Sequence, residues 1–423
     1  MNRSVGSGRR ARPRAMRRKA GVLPLALAVT VAAVLTAFPA GPAHADTAPA
    51  PGSVVPDEDP FYDAPADIAS YQPGEVVATR PVTPKGLTGV NAWQISFRTN
   101  DAHDSPELAV ATLLEPRTPW RGTGPRPVVS VQVAEDSTGT QCAPSYGLAS
   151  GNGVGAIIAT GSAQPILDRG WAAVLPDFEG AASAFMDGLL AGHVVLDSIR
   201  ATRNAGLGGV GTTNPWAIEG YSGGAQATGW AAQLQRSYAP DVQLVGAAIG
   251  GIPADPAAVS RYIDGGLVAG FVFAATAGFD SQYPEAGISA ILNAAGRKAM
   301  ANARGICITD LLVRFAFRKL ADHTTVRDPL AVPSVARVLA ANTLGAAPPT
   351  MPIYDYHANT DEIVPVAQDN TLVSRWCAAG ATVHTVRDLI GEHALEAIVR
   401  QNDKLAFLSD RFSGRAPTNT CPR

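Results

Sequence analysis

The chain has 423 residues, 46% of them hydrophobic and 17% charged, with 34 Lys+Arg balanced by 36 Asp+Glu. Such an apolar content supplies a large buried core and excludes a disordered chain. Beyond residue 20 no basic patch stands out, which argues against a nucleic-acid partner.

The first predicted element is a leader. Residues 1–20 hold seven Arg, one Lys and no acid, and the apolar run GVLPLALAVTVAAVLTAFPA and Ala43-His44-Ala45 follow. This is the pattern of a secretory signal peptide over 1–45, cleaved after Ala45. Pro24, Pro39 and the small-x-small cleavage site speak against a retained membrane anchor. Met16 opens a complete signal by itself, so the start is Met1 or Met16, and Arg17-Arg18 leaves both Sec and twin-arginine export open. Cleavage takes eight of the 34 basic residues and no acid, leaving 26 against 36 acids and a formal net charge of −10. No later stretch predicts a membrane span; Gly265 to Gly278 is too short and too glycine-rich.

Residues 46–72, rich in Pro and Asp, are expected to wrap the surface as irregular chain. Strand-like runs follow at 74–80, 92–99 and 108–114, the last two reading as an antiparallel pair, then at 126–133 and 171–175. Residues 188–203 place apolar side chains at 190, 194, 195 and 199, one face of a helix. Further strands are predicted at 216–218, 242–249, 351–357 and 382–386. Strands alternating with helices predict an α/β fold with a mainly parallel sheet and helices on both faces. About a hundred residues separate the strands near Gly250 and Met351, with helices expected over 264–279, 287–303 and 310–320. An insert there reads as a cap, giving a core of 46–252 and 349–423 interrupted by a helical cap over 253–348.

One short stretch carries chemistry. In Glu219-Gly220-Tyr221-Ser222-Gly223-Gly224-Ala225 a single hydroxyl stands among small residues. In a chain with 42 Gly this could be an ordinary turn. The context argues otherwise: a short apolar strand precedes Ser222 and an Ala-rich, Pro-free helix follows over 225–234. Strand, sharp turn and helix form a nucleophile elbow. It needs small flanking residues because the turn is strained, and the helix N-terminus beneath favours a developing oxyanion.

A serine hydroxyl needs a base, and the base an orienting carboxylate, in the chain order Ser, acid, His. His393, just past the last strand and opening a helix, is the expected base. His384 lies within a strand, His357 at a strand end reads as a packing or supporting residue, and His323 falls in the cap. Asp361, in the loop after the strand 351–357, is the expected acid; a helix N-cap is its structural alternative. Asp355 lies inside the strand, and Glu362 is expected to point away. The oxyanion hole is expected from the backbone N–H of Gly223 and from the loop after strand 126–133, through the Asp136 N–H with a contribution from Ser137.

The four cysteines, Cys142, Cys307, Cys377 and Cys421, suggest two disulfides in a secreted chain, and three connectivities are possible. Cys142–Cys307 and Cys377–Cys421 are favoured, the second tying down the C-terminal tail. No pair has metal-ligand spacing, so no zinc or other metal site is expected.

These residues resemble the secretory lipase family, of the Candida antarctica lipase A type. The likeness runs through Asp59-Pro60-Phe61-Tyr62, Ala134-Glu135-Asp136-Ser137 and Cys142-Ala143-Pro144-Ser145. It continues in Pro176-Asp177-Phe178-Glu179-Gly180, Gly220-Tyr221-Ser222-Gly223-Gly224 and His357-Ala358-Asn359-Thr360-Asp361. The resemblance implies an α/β-hydrolase fold with an inserted helical lid, a Ser222–His393–Asp361 triad, an Asp136–Gly223 oxyanion pair and the same cysteine pairing. It implies a secreted triacylglycerol lipase acting on acyl esters, with no cofactor, in which Leu267 to Phe279 either lines an acyl tunnel or packs the cap. A short-chain carboxylesterase of the same fold is the near alternative. A non-catalytic binding protein of that fold is the remote one.

Overall fold

The computed structural model describes residues 54–422. The expected leader, Met16, the cleavage point after Ala45 and the start of the 46–72 segment lie outside the described residues. Residues 54–72 run through three short 3-10 turns, Pro56–Glu58, Pro60–Tyr62 and Ile68–Ser70. Asp59 caps the second by accepting the Phe61 N–H at 3.1 Å and pairs with Arg80 at 2.7 Å, which fastens this segment to the first strand.

Nine strands form one sheet: β1 Val76–Val82, β2 Val90–Asn100, β3 Pro106–Pro116, β4 Val128–Gln132, β5 Ala172–Pro176, β6 Trp216–Tyr221, β7 Leu244–Gly250, β8 Ile353–Ala358 and β9 Val383–Asp388. Their spatial order is β1-β2-β3-β5-β4-β6-β7-β8-β9. The pairs β1/β2, β2/β3 and β3/β5 are antiparallel, and every pair from β5 to β9 is parallel. The expected 92–99 and 108–114 hairpin is β2/β3, each strand being longer than its apolar run.

The central strands are covered on both sides, which is why their sequences read as continuous apolar runs. Val128, Val174 and Ile218 face the core built with helices Gly188–Ala205, Gly223–Tyr238 and Val366–Ala378. Val129, Leu175 and Ala217 face the opposite core with helices Pro144–Ser150, Gly153–Leu167 and Gln401–Phe412. Each fully buried Val or Leu in these layers contributes about 1.5–3 kcal/mol. Leu190, Val194, Val195 and Ile199 all lie at 0% exposure, the helical face their spacing predicts. No helix among the described residues is long and apolar enough to cross a membrane.

Between β7 and β8 the chain forms six helices with a core of their own, in which Phe273, Met300, Leu311, Phe315 and Leu339 meet Phe185 and Met186 from the main body. Three predicted helices here are corrected. The one expected over 264–279 starts at Gly270, because Gly265 turns the chain at φ +77°. The one over 287–303 is two helices, Ile288–Ile291 and Ala294–Ala303; Leu292 is extended, and the Asn293 side chain accepts the Gly296 N–H and restarts the helix. The one over 310–320 is Ile308–Phe315, and Phe317 at φ 61° ends any continuation. Helices Pro256–Ile263 and Pro333–Ala341 went unpredicted; each opens with proline at its first position, where a missing N–H costs nothing.

Cys142 and Cys307 are joined, Cα atoms 5.5 Å apart, across 165 residues of chain, linking the start of helix Pro144–Ser150 to the β7–β8 segment. Cys377 is joined to Cys421. That bond holds the tail on the outer strand, where the Thr420 N–H donates to the Val383 carbonyl at 2.8 Å and covers part of the exposed β9 edge.

Candidate active site

The strand order reverses around β4, which lies between β5 and β6. Crevices at the carboxyl ends of strands beside such a reversal are where open α/β sheets hold ligands. Ser222 follows β6, Asp136 follows β4, Asp361 follows β8 and His393 follows β9, so all four side chains collect at one end of the sheet.

Ser222 sits at φ 56° and ψ −126°, a conformation that costs a non-glycine residue about 1–3 kcal/mol. Its N–H donates to the Gly250 carbonyl at 2.9 Å, and its carbonyl accepts the Gln226 N–H at 3.1 Å. A serine in this place, just before helix Gly223–Tyr238, ordinarily caps the helix with its hydroxyl. Here the side chain makes no cap bond. It donates instead to His393 Nε2 at 2.8 Å. The small neighbours follow from close backbone approach: a Cβ on Gly224 would run into the Gln132 carbonyl, and one on Gly220 into the Gly224 carbonyl.

His393 Nδ1 donates to Asp361 Oδ2 at 2.6 Å, which leaves Nε2 as the acceptor for Ser222. The imidazole is fixed from several sides. Its backbone N–H donates to Glu362 at 3.0 Å and its carbonyl accepts the Tyr221 hydroxyl at 2.6 Å. The turn at Asp361 brings Glu362 against the start of helix His393–Val399. The loops after β8 and β9 are clipped together where Thr360 Oγ1 donates to the Gly391 carbonyl at 2.6 Å and the Gly391 N–H returns to Thr360 at 2.9 Å.

Asp361 both faces His393 and forms a local turn. Its Oδ1 accepts the N–H groups of Ile363 at 2.9 Å and Val364 at 2.7 Å, while Oδ2 faces His393 and His357. Burial raises its proton affinity, but hydrogen bonds from His357 and His393 outweigh that and hold the carboxyl well below the usual carboxylate range. The link to His357 has no signal in sequence beyond the four-residue spacing from His357 to Asp361.

Asp136 lies across the pocket at φ 47°, buried, with Oδ1 unpartnered and placed where a Cβ on Gly223 would collide with it. Burial pushes its carboxyl up to about 7, against a smaller opposing effect of His393. The Ser137 hydroxyl is not available to a substrate as expected. It donates to the Glu135 carbonyl at 2.6 Å and accepts the Ile308 N–H at 3.2 Å, which ties the loop to the β7–β8 segment.

Three more buried carboxyls back this loop. Burial raises Glu135, Asp177 and Glu179, with mutual repulsion adding to Glu135 and Glu179, and Asp177 reaches about 7. All three hold their protons more tightly folded than unfolded; for Asp177 the stabilisation is complete below about pH 4 and is lost as pH rises through about 7. The expected result is a melting temperature roughly 2–4 °C lower at pH 8 than at pH 6. Asp177→Asn, which keeps an acceptor for the Ser145 N–H, should flatten that slope in a scanning-calorimetry series. An unchanged slope would show that Asp177 does not titrate in this window.

Phe185, Met186, Val259, Phe271, Val272, Ala275, Ile363 and Val364 line the pocket in front of Ser222 and Gly223. Ser260, Val272 and Ala275 also line a second apolar pocket, which runs on past Phe279, Ile288, Leu292 and Leu339. Phe271 and Val272 face the pocket while Phe273 packs inside the segment, stacked on Phe315 with ring centroids 4.6 Å apart.

Known proteins share this fold and much of this sequence. The solved structure of Candida antarctica lipase A in its closed state superimposes with a TM-score of 0.81 at 31% identity, over 88% of this chain and 89% of that one. Lipase 5 of Candida albicans is 32% identical over 390 residues, 86% of this chain and 83% of its own length. The secreted triacylglycerol lipase LIP1 of Malassezia furfur is 32% identical over 381 residues, 86% and 77% of the two chains. The fold is that of an α/β hydrolase, and the secretory lipase family model matches residues 152–420. With its elbow, sheet and sequence all in agreement over most of its length, the chain belongs to the secretory lipase family.

Proposed function

We propose that the protein is a secreted serine lipase that hydrolyses acylglycerol esters through an acyl-enzyme on Ser222, with His393 as base and Asp361 as its orienting acid. One observation carries this reading: the unbroken hydrogen-bond line from Ser222 Oγ through His393 to Asp361, opening onto an apolar pocket. In the first step Ser222 Oγ bonds to the ester carbonyl carbon while its proton passes to His393 Nε2. The oxyanion is held by the Gly223 N–H at the helix start and by Asp136 opposite, each donor being worth roughly 3–4 kcal/mol. Collapse breaks the carbon–oxygen bond, and His393 returns the proton to the departing alcohol. Water then attacks the acyl carbon, gives its proton to His393, and the fatty acid leaves as Ser222 recovers its hydrogen. No cofactor or metal enters these steps. Residues 253–348 act as the cap, their two linked pockets taking the acyl chain.

Export by the 1–45 leader, with cleavage after Ala45, belongs to the same reading, as does a lipid substrate as the only partner required. The surface beside His393 supports contact with an aggregated lipid. Leu389 and Ile390 are 82% and 87% exposed, and Ile398 and Val399 also stand in solvent.

The test is hydrolysis of p-nitrophenyl esters from C2 to C16, followed by emulsified triglyceride. Activity reaching the long chains and the emulsion is expected. Cleavage confined to C2–C4 would move the assignment to a short-chain carboxylesterase, and none at any length to a non-catalytic binding protein.

A further inference from the structure

Behind the triad lies a second histidine that the mechanism above does not use. His357, near the end of β8, is wholly buried. Its Nδ1 faces Asp369 Oδ2 at 2.8 Å, and its Nε2 faces the Val364 carbonyl at 2.9 Å and Asp361 Oδ2 at 3.1 Å. Every one of these neighbours is an acceptor. A neutral imidazole has one N–H and would leave a bare nitrogen lone pair against an oxygen, so the ring must carry both protons and a positive charge. The same conclusion follows from energetics. Burial lowers the ring's proton affinity, but bonding to Asp361 and Asp369 outweighs this and pushes it up to about 10.

Oδ2 of Asp361 is thus shared between two histidines, His357 at 3.1 Å and His393 at 2.6 Å. Position is not what His357 adds, because the backbone N–H groups of Ile363 and Val364 already hold Oδ1. What it adds is charge. We propose that His357 is a fixed imidazolium that partly neutralises the acid Asp361 and so limits how strongly that acid favours protonated His393. It acts through Asp361 and touches no substrate. The inference rests on the triad reading.

The other charges around His357 hold this state. Asp369, from helix Val366–Ala378, also contacts Arg387 of β9 at 3.0 Å, and Arg387 contacts Asp355 of β8 at 2.7 Å. Glu396, on the helix that carries His393, and Asp355 also feel the His357 charge. The result is an alternation of charges from Arg387 through Asp369 and His357 to Asp361. A charge held this way does not change across the working range of a triad, so it biases the base without adding a titration of its own.

The experiment is the pH dependence of kcat/KM for His357→Gln and Asp369→Asn beside wild type, with active sites counted by an organophosphonate. Gln keeps an amide donor towards Asp361 and removes the charge; Asn removes the carboxylate that keeps the proton on Nδ1. Loss of a cation this close should move the acid limb upward by about 0.5–1 pH unit in His357→Gln, and in the same direction in Asp369→Asn. A role confined to packing would lower the count of active sites and leave the limb in place. If His357→Gln does not fold, Asp369→Asn decides. An acid limb that stays put or moves down in the folded variants overturns the inference. A wild type without ester hydrolysis would overturn the functional reading instead, before the variants are compared.

Discussion

Ser222→Ala is expected to remove ester hydrolysis almost completely, lowering kcat by roughly 10^6-fold while the protein stays folded. The loss is large because the hydroxyl makes the covalent bond, and the water left to do its work is neither placed by the elbow nor activated in line. Stability should not follow activity. Alanine keeps the Cβ that makes φ 56° costly, so the backbone strain is unchanged. Among the described residues the bond to His393 is the only side-chain hydrogen bond the hydroxyl makes, and no helix cap is lost with it. Parallel measurement of p-nitrophenyl ester turnover and melting temperature checks both halves. Retained activity in a variant free of wild-type contamination would remove Ser222 from the mechanism. Lost activity with a large fall in melting temperature would mean that the serine holds the turn rather than reacts.

The elements legible in sequence were those whose local and global demands coincide. The elbow is one: a short apolar strand, a serine bracketed by glycines and an Ala-rich helix each point to the same turn, and the close approach of Gln132 to Gly224 shows why no larger residue fits. The helix over 188–205 is another, since its apolar face packs on the sheet at its own period. The β7–β8 segment was harder. Its helices are short, and their ends are set by single residues such as Gly265, Asn293 and Phe317, whose conformations depend on what they pack against. In the site, Asp361 and His393 follow from chain order and their place after strands. The contacts of Glu362, Tyr221 and His357 do not, because they join residues on separate loops and strands that meet only in the folded sheet. Ser137 shows the reverse error. A hydroxyl beside a presumed oxyanion loop suggested a donor, but an unpaired N–H at the start of helix Ile308–Phe315 claims it.

The same web of donors determines what a change at the acid must do. Asp361→Asn is expected to lower kcat by roughly 10^4-fold with little loss of folded protein. At Oδ1 the side chain faces two backbone N–H groups, from Ile363 and Val364, so the amide oxygen of asparagine must sit there. Its NH2 group is then forced into the place of Oδ2, where it meets His393 Nδ1 and His357 Nε2. An amide N–H aimed at His393 Nδ1 selects the tautomer with the proton on Nε2. That tautomer has no lone pair for the Ser222 proton and cannot act as base. Towards His357 the substitution sets donor against donor, which favours loss of one imidazole proton and weakens the charge alternation behind the site. Asp361→Ala lacks the misdirected donor, so it should be the more active of the two although it removes more of the side chain. Single-turnover assays of both variants with a p-nitrophenyl ester would show this order. If Asn were the more active, the Oδ1 contacts would not be fixing the amide, and the acid's role would lie in charge alone.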